Sequence, residues 1–478
     1  MADHHLDHSS SSSSSSHRRV SGAGRRGKAF LLLMASFATS IFVAFHISSS
    51  SHSLNNIHPA QTRLSLVHYN NVRRVRRPPL QPGNVSSSSP AAAFSDHFPG
   101  VPALPASPPP VNAGRRSDED DVSKRSGRRT AAAEVFHEKD LFLEDYAEMN
   151  STLKIFVYPH KRDDPFASAL LPAAGDPGGN YASESYFKKS IFKSHFITKD
   201  PNQAHLFFLP FSVAALRNDG RVGVGGIKGF VKGYVSRISR EYPFWNRSGG
   251  ADHFYVCCHS VGRSATETAV DVKLNAVQVV CSSSYFLPGY IAHKDTSVPQ
   301  IWPRHGEPPR RSPENRTTLA FYAGALNSRI RRDLVGIWEN DEEISVHRSR
   351  LKTPYAEALL GSKFCIHAKG YEVNTARIGD AIYYGCVPVI LADFYDLPFA
   401  DTLNWESFSV VVATAEMRRL KEILKGISHG EYVRLQRNVM KVQRHFQWHK
   451  FPVDFDAFHM VMYELWLRRS VLRLSSYH

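Results

Sequence analysis

Apolar residues in this chain fall in short unbroken runs separated by stretches of helical spacing, the pattern of strands buried on both faces of a parallel sheet with helices between them. The clearest instance runs over 362–412. Residues 364–368 form an apolar run, 375–384 carry helical spacing, Gly385 suits the end of that helix, and 387–391 are apolar throughout with Pro388 near their start. Further strand-like runs lie at 153–158, 204–211, 253–258 and 277–280, with helices expected near 186–192 and 228–242. The proline-rich piece 299–313 separates this set from a second that begins with the strand-like run 318–324. The pattern predicts an α/β protein with two domains, 135–313 and 314–478. Phe455, Phe458, Met462 and Leu465 recur at helical spacing and predict a terminal packing helix.

Ligands of parallel sheets sit at the carboxyl ends of the strands. The loop Lys369-Gly370-Tyr371-Glu372 and the first turn of the helix after it are therefore the expected edge of a site. Its glycine, helix start and nearby arginine favour phosphate.

The front of the chain has another character. Residues 30–47 are an apolar stretch interrupted only by Ser, Thr and His46, long enough to cross a bilayer, and Arg18, Arg19, Arg25, Arg26 and Lys28 precede it. That basic flank predicts a cytosolic tail, 1–29, and a signal-anchor with everything after it luminal. Residues 48–134, rich in Ser, Pro, Ala and Arg, bury too little apolar surface to offset ordering and are expected to form a disordered stem. About half of the net charge of +15 lies before Val135, and no basic stripe interleaved with aromatics follows, which argues against nucleic-acid binding. Asn84, Asn150, Asn246 and Asn315 each begin a glycosylation sequon on the side predicted luminal.

Two acidic groups have the composition of metal ligands. The run Asp118-Glu119-Asp120-Asp121 sits in the linker without a rigid frame and reads as solvated charge, while Asp454-Phe455-Asp456 opens a helical pattern and reads as a capping start. No metal is expected. The five cysteines match no zinc spacing, their odd count leaves at least one thiol without an intramolecular partner, and Cys365 and Cys386, inside strand-like runs, are expected as buried small residues.

The segments Gly-Tyr-Glu-Val from Gly370, Gly-Cys-Val-Pro-Val-Ile from Gly385 and Asp-Leu-Pro-Phe from Asp396 resemble the exostosin-type glycosyltransferases of family 47, particularly their plant members. So do Tyr-Ala-Ser-Glu-Ser-Tyr-Phe from Tyr181, Asp-Pro-Asn-Gln-Ala-His-Leu-Phe-Phe-Leu-Pro-Phe from Asp200 and Tyr-Pro-Phe-Trp-Asn-Arg-Ser-Gly-Gly-Ala-Asp-His-Phe from Tyr242. The resemblance implies two Rossmann-like domains facing a cleft (the GT-B fold) and an inverting transferase in the Golgi membrane. It would carry sugar from a nucleotide diphosphate, with UDP the expected nucleotide, to a polysaccharide acceptor, with no cofactor beyond that donor. A catalytically silent glycan-binding or scaffold subunit, associated with other glycosyltransferases, is the reading from another class.

By that likeness Arg377 holds the diphosphate and Asp380, three residues on, accepts from ribose hydroxyls. A surface ion pair is the plainer reading of the same two residues. Gly324, Arg329 and Arg331 lie where a strand turns into a helix and are candidates for the same phosphates, as are Lys369, Gly370 and Glu372 in the glycine loop. The acceptor's proton needs a carboxylate or histidine, for which Glu184, Asp252, His253 and His259 are the first-domain candidates and Glu372 the second-domain one. Asp252-His253 reads equally as a capping aspartate and a structural histidine. Two motifs depart from the family pattern. His259-Ser260-Val261-Gly262 stands in place of His-Asp-x-Gly, and His367-Ala368-Lys369-Gly370 in place of Cys-Pro-Ser-Gly, adding a cation beside the phosphate loop.

Overall fold

In the computed structural model of the chain, the residues described are 134–474, apart from 287, 350, 352 and 353. The expected anchor, the stem and Asn84 lie outside them. Among the described residues no helix is long and apolar enough to cross a membrane.

The first lobe opens with α1 (Lys139–Thr152) and builds a sheet from β1 (Ile155–Val157), β2 (Leu206–Phe208), β3 (His253–Cys257), β4 (Val277–Val280) and β5 (Thr296–Ser297). Each strand pairs in parallel with the next, in the order β1-β2-β3-β4-β5. Helices α2 (Ala182–Ile191) and α3 (Gly223–Glu241) lie between strands. Every residue of β2, β3 and β4 is buried, which explains their unbroken apolar character.

The second lobe contains β6 (Thr318–Ala323), α4 (Arg329–Trp338), β7 (Ile344–His347), β8 (Ser362–Ala368), α5 (Arg377–Tyr383), β9 (Val387–Leu391), β10 (Val410–Val411) and α6 (His429–Val442). Its sheet is also parallel, in the order β10-β9-β8-β6-β7. The first strand of this lobe, β6, is thus flanked by the second and the third, and the winding reverses between β6 and β8. Such a reversal opens a crevice at the carboxyl ends of the two strands. Gly385, at a φ of +64°, ends α5. The Gly385 N–H donates to Ile382 O and the Cys386 N–H to Ala381 O, closing the turn that only a left-handed residue permits.

Segments following the strands hold the lobes together. Ser283, beyond β4, donates to Asp396 O at 2.8 Å, and the Tyr285 N–H donates to Phe394 O at 3.0 Å, so the carboxyl ends of both sheets look onto a common cleft. The last helix, α7 (Ala457–Leu474), lies within the stretch 314–478 expected to form the second domain. It packs on the first lobe: Phe458 lies 5.5 Å from Phe187, Tyr463 lies 4.9 Å from Phe142, and Arg468 Nε donates to Asp295 O at 2.8 Å. Local periodicity specifies that a helix has an apolar face and is silent on which lobe receives it.

Two disulfides, Cys258–Cys281 and Cys365–Cys386, staple adjacent strands, and Cys257 is a buried free thiol. The second corrects the expectation that Cys365 and Cys386 are unpaired. The β8–β9 register sets Cys365 opposite Pro388 and brings the two cysteine Cα atoms to 5.8 Å, within bridging range.

Candidate functional site

Two arginines meet at the reversal point of the second sheet. Arg377, at the start of α5, donates from Nε to Ala323 O at 2.9 Å and lies over the Tyr322 ring, so its guanidinium is fastened to the end of β6. Arg331, one turn into α4, donates from Nε to Ala368 O at 3.1 Å and from Nη1 to Asn327 Oδ1 at 2.8 Å, which fastens it to the end of β8. Glycines make room for both. A Cβ on Gly324 would stand 2.1 Å from Arg377 Nη2, and one on Gly370 2.7 Å from Arg331 Nη2. Neither guanidinium takes a carboxylate partner among the described residues.

The electrostatic consequences are visible in the neighbours. Burial, then the nearby Arg377 charge, pulls the Arg331 pKa below its ordinary value. His367 is buried and held down to about 3, first by burial and then by the two arginines, against the pull of its bond to Val373 O. It is therefore neutral, bonded through Nε2 to Val373 O at 2.8 Å and through Nδ1 to Thr375 Oγ1 at 3.0 Å, and it braces the glycine loop. The Tyr322 hydroxyl beside Gly324 is buried without a hydrogen-bond partner. Two fixed cations, a neutral histidine and an unsatisfied hydroxyl at the head of a helix suit an oxyanion.

Lys369 belongs to this edge through its backbone. Its N–H donates to Leu391 O at 3.0 Å and its carbonyl accepts from Ser328 Oγ at 2.7 Å, while Ser328 also caps α4. Arg329 does not belong to it: its side chain is 89% exposed and pairs with Asp333, because the α4 face that carries Arg331 inward turns Arg329 out. Asp380 is buried, and Arg304 of the inter-lobe segment grips its Oδ1 from Nε at 2.9 Å and Nη2 at 2.7 Å. Burial raises its pKa and Arg304 opposes the shift. The partners it shows are protein groups, so it anchors α5 to the segment joining the lobes; the expected ribose acceptor is not what its surroundings display.

Glu372 spans the cleft. Its Oε1 accepts from Arg263 Nη2 of the first lobe at 2.5 Å, and its Oε2 accepts from the Ser282 hydroxyl beyond β4. Burial raises its pKa, and Ser282 and Arg263 pull the other way. Arg263, Ser282, Ser328 and Arg304 escaped the sequence reading. Only Ser328 carried a local signal, as a serine just before a helical run.

The first-lobe candidates part company. Glu184 is buried and satisfied, its Oε1 taking the Ser212 hydroxyl and the Ala214 N–H and its Oε2 the Cys258 N–H at 3.2 Å. Sealed in this way, it braces the loops that follow β2 and β3 and does not reach the cleft. Asp252 and His253 stand at the amino end of β3, away from the cleft. His253, fully buried between Phe207 and Trp245, bonds Tyr158 OH through Nε2 and Asp252 through Nδ1, each at 2.8 Å. Asp252 in turn holds Arg247 and Ser248. The structural reading of this pair is the one the geometry realises. His259 lies just past the carboxyl end of β3, half-buried under the Tyr181 ring, and burial lowers its pKa.

Asp456 caps α7, accepting the His459 N–H at 3.1 Å, and Asp454 accepts from Tyr146 OH, so the Asp-x-Asp does structural work. Among the described residues no group of three or more His, Cys, Asp or Glu is gathered as metal ligands. Of the sequons within the structure, Asn246 and Asn315 are exposed and Asn150 is half-buried near the end of α1.

The Exostosin GT47 domain matches residues 149–427. A probable glycosyltransferase of Arabidopsis thaliana is 38% identical over 356 residues, covering 70% of this chain and 65% of the relative, so the match spans just under two thirds of that protein. A second probable glycosyltransferase of Arabidopsis thaliana is 35% identical over 360 residues, with 72% and 73% covered. A probable glucuronosyltransferase of Oryza sativa subsp. japonica is 27% identical over 333 residues, with 65% and 79% covered. With the anion cradle placed where a parallel sheet binds its ligand and the domain match covering more than half of its length, this chain belongs to the exostosin GT47 family and is a glycosyltransferase.

Proposed function

We propose that the protein transfers a sugar, with inversion, from a uridine diphosphate donor to a polysaccharide of the plant cell wall or matrix, in the Golgi lumen. The observation that carries this reading is the pair of guanidiniums, Arg331 and Arg377, fixed without carboxylate partners at the β6–β8 reversal beside Gly324 and Gly370. As the bond from C1 to the diphosphate breaks, charge grows on the leaving oxygen. Preorganised cations stabilise that charge more in the transition state than in the ground state.

The acceptor oxygen attacks C1 from the opposite face, its proton passes to a carboxylate, and UDP departs with the bonding electrons. Glu372 is a carboxylate on the cleft, and burial raises its pKa, which strengthens it as a proton acceptor. Arg263 and Ser282 orient it. Two disulfides support an oxidising compartment, and the basic flank of 30–47 supports the luminal orientation.

The test is UDP release by the full-length protein in detergent, offered a panel of UDP-sugars with cell-wall oligosaccharides. One donor should be turned over only when an acceptor is present. Absence of UDP binding by calorimetry would overturn the donor site, and digestion of the catalytic region in sealed, detergent-free vesicles would overturn the orientation.

A further inference from the structure

A second cavity, of about 230 Å³, opens on the far face of α5, between the inter-lobe segment and the segment that joins α6 to α7. Five aromatic rings contribute to its lining, those of Tyr186, Trp302, Tyr383, Phe446 and Trp448. Trp302 is 44% exposed although it lies in a folded segment, Trp448 is held in place by stacking on Tyr186 at 5.9 Å, and Tyr383 projects from α5. Basic side chains share the lining: Arg304, His305, His449 and Lys450 face the cavity beside Gln443 and Gln447, and no carboxylate does. Asp380 and Asp456, which pair with Arg304 and His449, are buried behind them.

Flat apolar rings present the surface on which the C–H face of a sugar packs, and guanidinium and ammonium groups recognise carboxylate. The cavity is smaller than the roughly 300–1,000 Å³ that encloses a drug-sized ligand, so it takes one ring of a longer chain. The neighbouring rings of such a chain have an exposed surface to run over, since Phe451, 64% exposed, follows Lys450 directly. Arg304 belongs to this wall and also holds Asp380, one turn from Arg377, so the cavity and the donor cradle share helix α5.

We propose that this cavity is a secondary binding site for a uronate-bearing segment of the polysaccharide acceptor, holding the chain at a point remote from the hydroxyl that reacts. The assignment of the ligand as acceptor rests on the transferase reading, whereas binding itself does not require the donor site.

The probe is tetragalacturonate, titrated calorimetrically into the full-length protein, with its methyl ester as the neutral counterpart and UDP as an independent report on the cradle. Trp302→Ala should weaken tetragalacturonate binding about tenfold or more, Trp302→Phe should restore most of it, and Lys450→Ala should reduce its salt dependence. The methyl ester should bind at least tenfold more weakly than the acid, and UDP affinity should be the same in wild type and all three variants. Undiminished binding by Trp302→Ala, equal affinity for acid and ester, or no binding of tetragalacturonate overturns the proposal. Failure of UDP to bind the wild type would sink the donor reading alone.

Discussion

Replacing Gly324 by alanine puts the donor cradle to its sharpest test, because the change adds one methyl group and removes no charge. The new Cβ would stand 2.1 Å from Arg377 Nη2, 2.9 Å from its Cζ and 2.8 Å from Tyr322 Oη. Gly324 does not occupy the positive-φ region, so alanine strains only its surroundings and not its own backbone. The group that must give way is the far end of a long side chain. It swings out, surrendering the 2.9 Å bond to Ala323 O, at a cost to stability of about 1 kcal/mol. A displaced guanidinium can no longer meet a phosphate oxygen. A charged hydrogen bond contributes about 1.5–3 kcal/mol, so UDP affinity should fall roughly ten- to a hundred-fold while the fold persists. Calorimetric titration with UDP, paired with a thermal melt, reads both quantities. Arg377→Lys should show a similar loss, since an ammonium cannot reproduce a two-pronged contact. A folded Gly324→Ala protein that binds UDP within about twofold of wild type would refute the placement of phosphate against Arg377.

Glu372→Gln should lower kcat by about 10²-fold or more and leave UDP affinity intact, and unchanged kcat would remove it as the base. Transfer should survive EDTA, because the two arginines supply the positive charge at the leaving diphosphate; complete loss restored by manganese would show that a metal does so instead. Stability should fall on acidification. Burial holds His367 at about 3 and His445 at about 4, below the ordinary value, so once the pH drops through about 6.5 the unfolded chain takes up protons that the folded one refuses. Each histidine then costs up to about 1.4 kcal/mol per pH unit, and His367→Gln should flatten the slope of stability against pH between about 6.5 and 4; an unaltered slope would show that His367 is not the group responsible.

Strands and the helix that ends at Gly385 were legible in the sequence because parallel strands covered on both faces must be apolar throughout, as Val387–Leu391 is, and because a left-handed turn selects glycine. The edge strand β7 was not. It alternates buried and half-buried residues over Ile344–His347, too short and too mixed to stand out. The position of Arg377 at a ligand-facing loop also followed from local order alone, since strand, glycine loop and helix are consecutive.

What the residues by themselves determined was thus the class of the fully buried strands and of the helix ending at Gly385, the ends of the strands where a ligand must sit, and a cationic, glycine-lined edge suited to phosphate. Tertiary structure decided which charges remain available there. Arg331 and Arg329 are two residues apart, and only the docking of α4 on the sheet turns one toward Gly370 and the other into solvent. In sequence Asp380 suits a ribose acceptor and Glu184 a base, yet Arg304 and the Ser212, Ala214 and Cys258 donors, which occupy them, come from segments distant along the chain. Glu372 meets Arg263 across 109 positions for the same reason. A side chain's function depends on the partners left to it after folding, and those contacts are set by strand order, register and lobe packing, quantities that no local window of residues contains.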